Sequence, residues 1–296
     1  MVGSAICRLL DTNNYKNIIT APSSQLDLTN QNDVKKFICS KKPNVIINAA
    51  AKVGGILANR DYPYQFLMDN MKIQNNLIDE ALKNNVEKFI FLGSSCIYPK
   101  FSPQPIKEEY LLSGHLESTN EWYAIAKISG VKACQAIREQ YSKDFISLMP
   151  SNLYGINDNF DLKTSHVLPA MIRKFHEAKM NNSHVELWGS GKPLREFLFV
   201  DDLAEAVIFT IENKLKKHIY NVGSGVDITI RDLSKKIKNI VGYKGKIIWK
   251  DNMPDGTPKK LMDISRLKKE GWKAKTNIDR GIKITYNWFL KNENNY

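Results

Sequence analysis

Residues 88–96 of the chain read Lys88-Phe89-Ile90-Phe91-Leu92-Gly93-Ser94-Ser95-Cys96. The unbroken apolar run in this stretch predicts a strand that is buried on both faces, as in a parallel sheet. Small polar residues follow it directly, so they would lie beyond the carboxyl end of the strand, where open α/β sheets bind their ligands. The stretch therefore predicts a parallel sheet and the edge of that sheet at which a site would form.

Apolar runs and helical patterns alternate on both sides of this strand. Further strands are predicted at residues 17–20, 44–50 and 145–150, and helices at residues 4–10, 33–40, 64–84 and 121–141. This alternation is typical of a doubly wound parallel sheet with helices on both faces. Each crossover is also long enough for a right-handed connection. The expected fold class is therefore α/β.

The chain is expected to contain a second, smaller α/β lobe in addition to the sheet domain. The alternation loosens after residue 155, where loops rich in glycine and proline at 189–193 and 254–258 separate shorter elements. We expect residues 1–155 to form a dinucleotide-binding domain, and residues 156–195 and 226–296 to form the lobe that binds substrate. A strand at 197–200 and a helix at 203–211 are expected to rejoin the sheet, so that about residues 196–225 return to the first domain.

The beginning of the chain departs from this pattern. A nucleotide-binding sheet normally opens with a buried strand and a glycine-rich turn, whereas Gly3 comes at once in Gly3-Ser4-Ala5-Ile6. These residues fit the last glycine of such a turn running into its helix. The opening strand and two earlier glycines are therefore expected to precede Met1, as in a fragment or a shortened gene product.

Composition limits the classes of protein that need to be considered. A chain of 296 residues with 43% hydrophobic content can bury a substantial core. No apolar run of about 18 residues and no signal peptide is found, so no membrane association and a cytoplasmic location are expected. The four cysteines, Cys7, Cys39, Cys96 and Cys134, show no metal-binding or disulfide spacing and are interpreted as free thiols.

The formal net charge of +12 is compatible with anionic partners. The lysines are spread along the chain and are not interleaved with aromatic residues in one block, as a nucleic-acid surface would require. They are interpreted as a solvated surface, and no nucleic acid is expected as a partner.

The residues Tyr123-Ala124-Ile125-Ala126-Lys127 carry the clearest chemical pattern. A tyrosine and a lysine at positions i and i+4 share one face of a helix. An ammonium beside a phenol favours the phenolate, so the tyrosine would exchange its proton more easily near neutral pH and could act as a general acid. By itself this spacing also fits an ordinary helix surface, and its significance comes from following the strand that ends at Ser94.

Together these motifs resemble the extended short-chain dehydrogenases/reductases, which have a Rossmann-like fold. Within them the chain resembles the GDP-L-fucose synthases over almost its whole length. The segments that carry this closer resemblance are 50–55, 93–100, 119–123, 152–155, 165–167, 188–191, 195–197 and 254–258.

The resemblance implies an NADPH-dependent enzyme that converts GDP-4-keto-6-deoxy-D-mannose to GDP-L-fucose. Epimerisation at C3 and C5 would precede reduction of the C4 ketone. The implied catalytic residues are Ser94, Cys96, Tyr123, Lys127 and His166, with Cys96 as the base and His166 as the acid of the epimerisation. The implied NADP-binding residues are Met1, Val2, Gly3, Leu92, Gly93, Ser94, Ser95, Tyr123, Lys127, Pro150, Ser151, Asn152, Leu153 and His166. Lys174, Trp188, Arg195 and Asp255 would hold the GDP-sugar, and a homodimer packed through the helices at 64–84 and 121–141 is implied.

Some positions leave alternatives open. Residues 21–24 lack the arginines that would meet the 2'-phosphate of NADP, and Lys174 stands where the family tends to have arginine. Arg195 could instead form a surface ion pair with Glu196 or Asp201. The rival functions are another nucleotide-sugar epimerase or dehydratase of the same superfamily, and a non-catalytic nucleotide-binding protein.

Overall fold

The structure is a computed structural model that describes residues 1–252 and 255–293. Within these residues the chain forms ten α-helices and ten strands. The helices are α1 (Val2–Thr12), α2 (Gln31–Lys41), α3 (Ile56–Asp61), α4 (Pro63–Lys83), α5 (Glu121–Tyr141), α6 (Val167–Met180), α7 (Val200–Glu212), α8 (Ile230–Val241), α9 (Ser265–Glu270) and α10 (Ile278–Asn292). The strands are β1 (Val45–Asn48), β2 (Lys88–Leu92), β3 (Asp144–Pro150), β4 (Asn152–Tyr154), β5 (Val185–Trp188), β6 (Leu194–Phe199), β7 (Ile219–Val222), β8 (Asp227–Thr229), β9 (Ile247–Lys250) and β10 (Lys259–Lys260).

The main sheet has the strand order β1-β2-β3-β7, and all of its neighbouring strands are parallel. The predicted strand at residues 88–93 forms β2, a central strand in which Phe89 to Leu92 are buried. Burial on both faces explains why this strand is continuously apolar rather than alternating. The expected α/β fold with a parallel sheet is confirmed.

Helices cover both faces of this sheet. On one face, α1 and α7 pack together over the inward side chains of β2 and β3, including Ile90, Leu92 and Leu148. On the other face, α2, α4 and α5 cover Phe89, Phe91 and other residues of the same strands. The predicted helices at 4–10, 33–40, 64–84 and 121–141 correspond to α1, α2, α4 and α5. Because the helices cover both faces, the sheet edges and strand ends are the places left for a ligand.

The close approach of α5 to the sheet depends on Gly130. A Cβ atom at this position would lie 2.5 Å from the Phe91 ring and 3.0 Å from Gln74. Such a distance is well inside van der Waals contact, so a glycine is needed where the helix crosses β2. The N-terminal half of α5, which carries Tyr123 and Lys127, is thereby held against the carboxyl end of that strand.

The second lobe has its own small sheets and its own core. Strands β4, β6 and β10 are parallel, β8 joins β6 in the antiparallel direction, and β5 pairs with β9. Helices α6, α8 and α10 pack around a cluster that includes Phe160, Phe175 and Phe289. In the chain this lobe begins directly after β3 with β4, and the chain returns to the main sheet at β7 before it completes the lobe.

Two sequence predictions about strands are wrong. Residues 17–20 form no strand, and Ile19 is exposed. An extended segment needs a neighbouring strand to satisfy its backbone, and within the described residues β1 is paired only with β2. The strand at 197–200 forms as β6, but it pairs with β4, β8 and β10 and does not rejoin the main sheet. The returning strand is β7, which lies beside β3.

None of the helices in the described parts of the chain has the length and apolar character needed to span a membrane.

Candidate active site

The turn after β2 places a hydroxyl and a thiol side by side. Residues Ser95–Ile97 form a single 3₁₀ turn, and Ser94 is its N-cap residue. The Ser94 hydroxyl oxygen accepts a hydrogen bond from the Cys96 backbone N–H at 3.3 Å, and the Cys96 thiol donates to the same oxygen at 3.0 Å. Cys96 is only 7% exposed. The carboxyl end of β2 therefore presents a hydroxyl with a buried thiol directly behind it.

Lys127 reaches this edge from α5. Its ammonium donates to the Leu92 carbonyl oxygen at 2.9 Å and lies 4.8 Å from the centroid of the Phe91 ring. The side chain is buried, and burial lowers its pKa from 10.5 to about 8, although Cys96 acts in the opposite direction. The ammonium thus remains mostly charged at neutral pH, at a fixed place on the strand end.

Tyr123 lies one helical turn before Lys127, and the Lys127 ammonium is 5.8 Å from the centroid of its ring. Burial, with a second contribution from Cys96, raises the pKa of the Tyr123 phenol above its ordinary value. The expectation that the lysine would ease loss of this proton is therefore wrong for the protein without its ligands, because desolvation of the phenolate dominates. Tyr123 keeps its proton at neutral pH, which is the form that a general acid requires.

His166 is the residue immediately before α6. Its side chain makes no hydrogen bond that caps the helix. The preceding loop is attached to Gly55, whose N–H donates to the Thr164 carbonyl at 3.3 Å, and the neighbouring Gly54 packs on Phe66, whose ring meets the Tyr123 ring edge-on at 6.3 Å. These contacts connect the His166 loop to Tyr123. Burial lowers the pKa of His166, so its neutral imidazole predominates at neutral pH.

The residues implied for NADP lie along the same edge. Gly93, Ser94 and Ser95 follow β2, residues 150–153 span the end of β3 and the start of β4, and Gly3 at the start of α1 lies near Ala49, just beyond β1. Within the described residues, two buried polar atoms at these strand ends, Nδ2 of Asn48 and Oγ of Ser151, have no hydrogen-bond partner. Buried polar groups are normally satisfied, so the strand ends fit a polar ligand lying across them, as a dinucleotide would.

Arg195 and Asp255 face each other across a turn in the second lobe. The Asp255 carboxylate accepts from both the backbone N–H and the hydroxyl of Ser190, each at 2.7 Å, and so fastens the 189–191 turn. Burial lowers the pKa of Arg195, while Asp255 and Glu117 act to raise it. The alternative ion pairs are not formed, because Asp201 pairs with Arg8 and the Glu196 carboxylate accepts from backbone N–H groups. The guanidinium is available for an anionic ligand.

Lys174 and Trp188 lie together beyond this turn. The Lys174 ammonium is 5.7 Å from the centroid of the Trp188 ring and donates to the Glu186 carbonyl at 3.1 Å. Trp188 is 55% exposed, so one ring face is open for a planar or sugar group. Of the segment 254–258, Pro254 lies outside the described residues.

Two charged residues at this site were missed by the sequence analysis. Lys260 was interpreted as one of many surface lysines, but it lines a small pocket of about 20 Å³ together with Cys96, Glu117 and Thr257. Glu117 accepts from the Thr257 hydroxyl at 3.2 Å and pairs with the Lys100 ammonium at 3.0 Å. No local spacing marks either residue, because strand β10 is two residues long and the contacts join distant parts of the chain.

Known proteins resemble this chain in both sequence and structure. Residues 1–223 match the NAD dependent epimerase/dehydratase family. A putative GDP-L-fucose synthase 2 of Arabidopsis thaliana is 55% identical over 293 residues, which are 99% of this chain and 89% of that protein. The GDP-L-fucose synthase of Escherichia coli K12 is 47% identical over 100% of this chain and 95% of its own length. The crystal structure of a GDP-L-fucose synthetase from Naegleria fowleri bound to NADP has a TM-score of 0.92 at 28% identity, covering 99% of this chain and 90% of that one. The chain therefore belongs to the NAD dependent epimerase/dehydratase family and, within it, to the GDP-L-fucose synthases.

Proposed function

We propose that this protein converts GDP-4-keto-6-deoxy-D-mannose to GDP-L-fucose with NADPH, by epimerisation at C3 and C5 followed by reduction at C4. The observation that carries the proposal is the buried thiol of Cys96, hydrogen-bonded at 3.0 Å to the hydroxyl of Ser94, at the strand end that also holds Lys127. A reductase or simple 4-epimerase needs the hydroxyl, the phenol and the ammonium but has no use for a thiol there. A proton-transfer group beside the carbonyl-binding hydroxyl suits epimerisation.

In the epimerisation, the C4 ketone acidifies the protons on C3 and C5 because the resulting carbanion is delocalised as an enolate. Cys96 removes a proton as the thiolate, and the Ser94 hydroxyl holds the C4 oxygen. His166 returns a proton to the opposite face. Since the imidazole is mostly neutral in the protein alone, this role requires its protonation, which the negative charge of the GDP-sugar would favour.

In the reduction, bound NADPH supplies the hydride that C4 accepts. Tyr123 gives its proton to the C4 oxygen as negative charge develops there, and Ser94 stabilises that oxygen by a hydrogen bond. The raised pKa of Tyr123 keeps the proton on the phenol until it is needed. The Lys127 ammonium then stabilises the phenolate that remains.

The second lobe would bind the nucleotide diphosphate. The Arg195 guanidinium, lacking a carboxylate partner within the described residues, is suited to two parallel hydrogen bonds with phosphate oxygens. Trp188 and Lys174 offer an aromatic face and a cation next to it. Asp255 would act by holding the turn that carries Ser190, because both of its oxygens are engaged there.

A homodimer and a cytoplasmic location are also part of the proposal. The outer surfaces of α4 and α5 expose Tyr64, Trp122 and Ile125, with Tyr64 67% exposed. Large aromatic side chains on two adjacent helices suit a self-complementary interface. Sedimentation of the wild type and of Trp122→Glu would test this, with a dimer for the first and a monomer for the second.

The reaction is tested by incubating the protein with GDP-4-keto-6-deoxy-D-mannose and NADPH while following loss of NADPH absorbance and the identity of the product. In deuterated water, the wild type should introduce deuterium at C3 and C5. Cys96→Ser should abolish this exchange and leave substrate binding in place, whereas the matched variant Cys39→Ser, at an exposed cysteine, should exchange normally. Equal exchange in Cys96→Ser and the wild type would remove Cys96 from the mechanism. Reduction without any exchange in the wild type would indicate a 4-reductase.

A further inference from the structure

We propose that Lys260 is the positioning residue that favours formation of the Cys96 thiolate, because both residues line one small pocket. This inference rests on the proposed function, because it assigns the source of the base used in the epimerisation. It concerns a residue that acts through Cys96 and makes no claim that Lys260 touches the reacting carbons.

The fold brings Lys260 to the thiol from the second lobe. Strand β10 runs parallel to β6, with Lys260 opposite Arg195 in the register. Lys260 and Cys96 both line the pocket of about 20 Å³. A space of that size holds about one water molecule, so the residues that line it share little solvent. Charges that share such an enclosure interact much more strongly than on a surface.

The two neighbouring lysines on β10 have different partners. The Lys259 ammonium lies 3.2 Å from an Asp227 carboxylate oxygen. Within the described residues, the Lys260 ammonium has no carboxylate within salt-bridge distance. Burial lowers the pKa of Lys260, and Cys96 is the largest of the effects that act in the opposite direction. Of the anions that act on this ammonium, a Cys96 thiolate therefore has a larger effect than the Glu117 carboxylate.

Other charged groups also act on Cys96 or line the pocket. Lys127, on α5, interacts with Cys96 as well, but its ammonium is fixed on the Leu92 carbonyl and it does not line this pocket, while Tyr123 on the same helix keeps its proton. Glu117 is the anion in the pocket wall, but the Lys100 ammonium lies 3.0 Å from it. Arg195 repels the Lys260 ammonium and so, like burial, acts to lower its pKa.

The Lys260 ammonium would favour a single proton transfer, the ionisation of the Cys96 thiol. The Cys96 thiol loses its proton to solvent while Lys260 stays an ammonium, and the pair carries no net charge. The thiolate then removes the C3 or C5 proton and becomes a thiol again. No redox partner is needed. An ordinary cysteine is only a few per cent thiolate at about pH 7, so a fixed cation would raise the fraction of enzyme that is ready to act.

The test is the pH dependence of Cys96 alkylation by iodoacetamide, measured without substrate or cofactor. Peptide mass spectrometry separates Cys96 from Cys7, Cys39 and Cys134. In Lys260→Met the midpoint should rise by about one pH unit or more, which lowers the alkylation rate below the midpoint about tenfold. Lys260→Arg should restore a midpoint near that of the wild type. Lys259→Met, which removes a cation that also borders the pocket but pairs with Asp227, should leave the midpoint within about 0.3 pH units.

The outcomes separate this inference from the proposed function. If Lys260→Met alkylates with the same midpoint as the wild type, Lys260 does not control the thiolate, whatever the enzyme converts. If the midpoint shifts but the wild type does not epimerise GDP-4-keto-6-deoxy-D-mannose, the pairing stands and the proposed substrate fails. Thermal unfolding of each variant checks that the fold is retained. A variant that binds substrate more weakly with an unchanged midpoint would mark Lys260 as a substrate anchor and overturn the inference.

Discussion

Replacing Lys127 by methionine is expected to make the protein more stable at neutral pH while removing most of its activity. Lys127 is 3% exposed, and burial lowers the pKa of its ammonium from 10.5 to about 8. Since one pH unit corresponds to about 1.4 kcal/mol, keeping this charge in the folded protein costs about 3 kcal/mol at neutral pH. Methionine of similar length removes that cost. It also removes the hydrogen bond to the Leu92 carbonyl, a loss of about 1–3 kcal/mol. A net stabilisation of roughly 1 kcal/mol should remain.

The pH dependence gives a sharper test than the net value. Because the folded pKa lies below the unfolded one, the folded state binds this proton less tightly, and its penalty is complete below about pH 8 and lost as the pH rises toward 10.5. Between about pH 7 and pH 9.5, the wild type should therefore gain about 2 kcal/mol of unfolding free energy relative to Lys127→Met.

Urea unfolding of both proteins, followed by tryptophan fluorescence at the two pH values, measures this difference. Lys132→Met is the matched control, because Lys132 is an exposed lysine on the same helix and should give no pH-dependent difference. A difference between the wild type and Lys127→Met that stays constant across the pH range would refute the reasoning, since it would mean that the buried ammonium is not the source of the penalty.

Three other substitutions probe separate parts of the structure. Tyr123→Phe should lower the rate of C4 reduction about 10²–10⁴-fold while C3/C5 deuterium exchange continues, because only the reduction uses the phenol proton; loss of exchange to the same degree would contradict this. Gly130→Ala should lower the free energy of unfolding by about 1–3 kcal/mol, since the new methyl group would press on the Phe91 ring, whereas Gly3→Ala, whose methyl would lie 3.9 Å from Ala49, should be tolerated in thermal unfolding. Arg195→Lys should raise the KM for the GDP-sugar about tenfold or more with a smaller change in kcat, because the ammonium cannot make two parallel bonds to the diphosphate; an unchanged KM would argue against contact with the nucleotide.

Helices and strands in which the apolar residues follow a clear pattern could be predicted from the sequence. The helix at 121–141 has the bounds of α5, and the continuous apolar run at 88–93 forms β2. Periodicity reflects which residues of one element face the core, which is local information. Whether a strand forms, and where it pairs, depends on its neighbours. Residues 17–20 have strand-like composition but no strand beside them, and β6 pairs within the second lobe because β4 and β10 lie there.

The same distinction applies to the site. Ser94, Tyr123 and Lys127 could be grouped from one strand end and one helical spacing. In the structure Ser94 and Lys127 both lie at that strand end, and Tyr123 lies one helical turn before Lys127. Lys260 and Glu117 could not, because each reaches the pocket through pairing between distant segments. The upward shift of the Tyr123 pKa also could not be predicted from the sequence, because it depends on how much solvent the fold removes from the phenol.

Because Gly130 has no side chain, the contact between α5 and β2 limits how this sequence can change in evolution. Position 130 and position 91 share one fixed volume, so a larger residue on the helix can be accepted only together with a smaller one on the strand. Substitutions at the two positions should therefore covary among descendants of this gene. Chains that keep phenylalanine at the strand position should keep glycine opposite it, and those that exchange one should show the compensating exchange in the other.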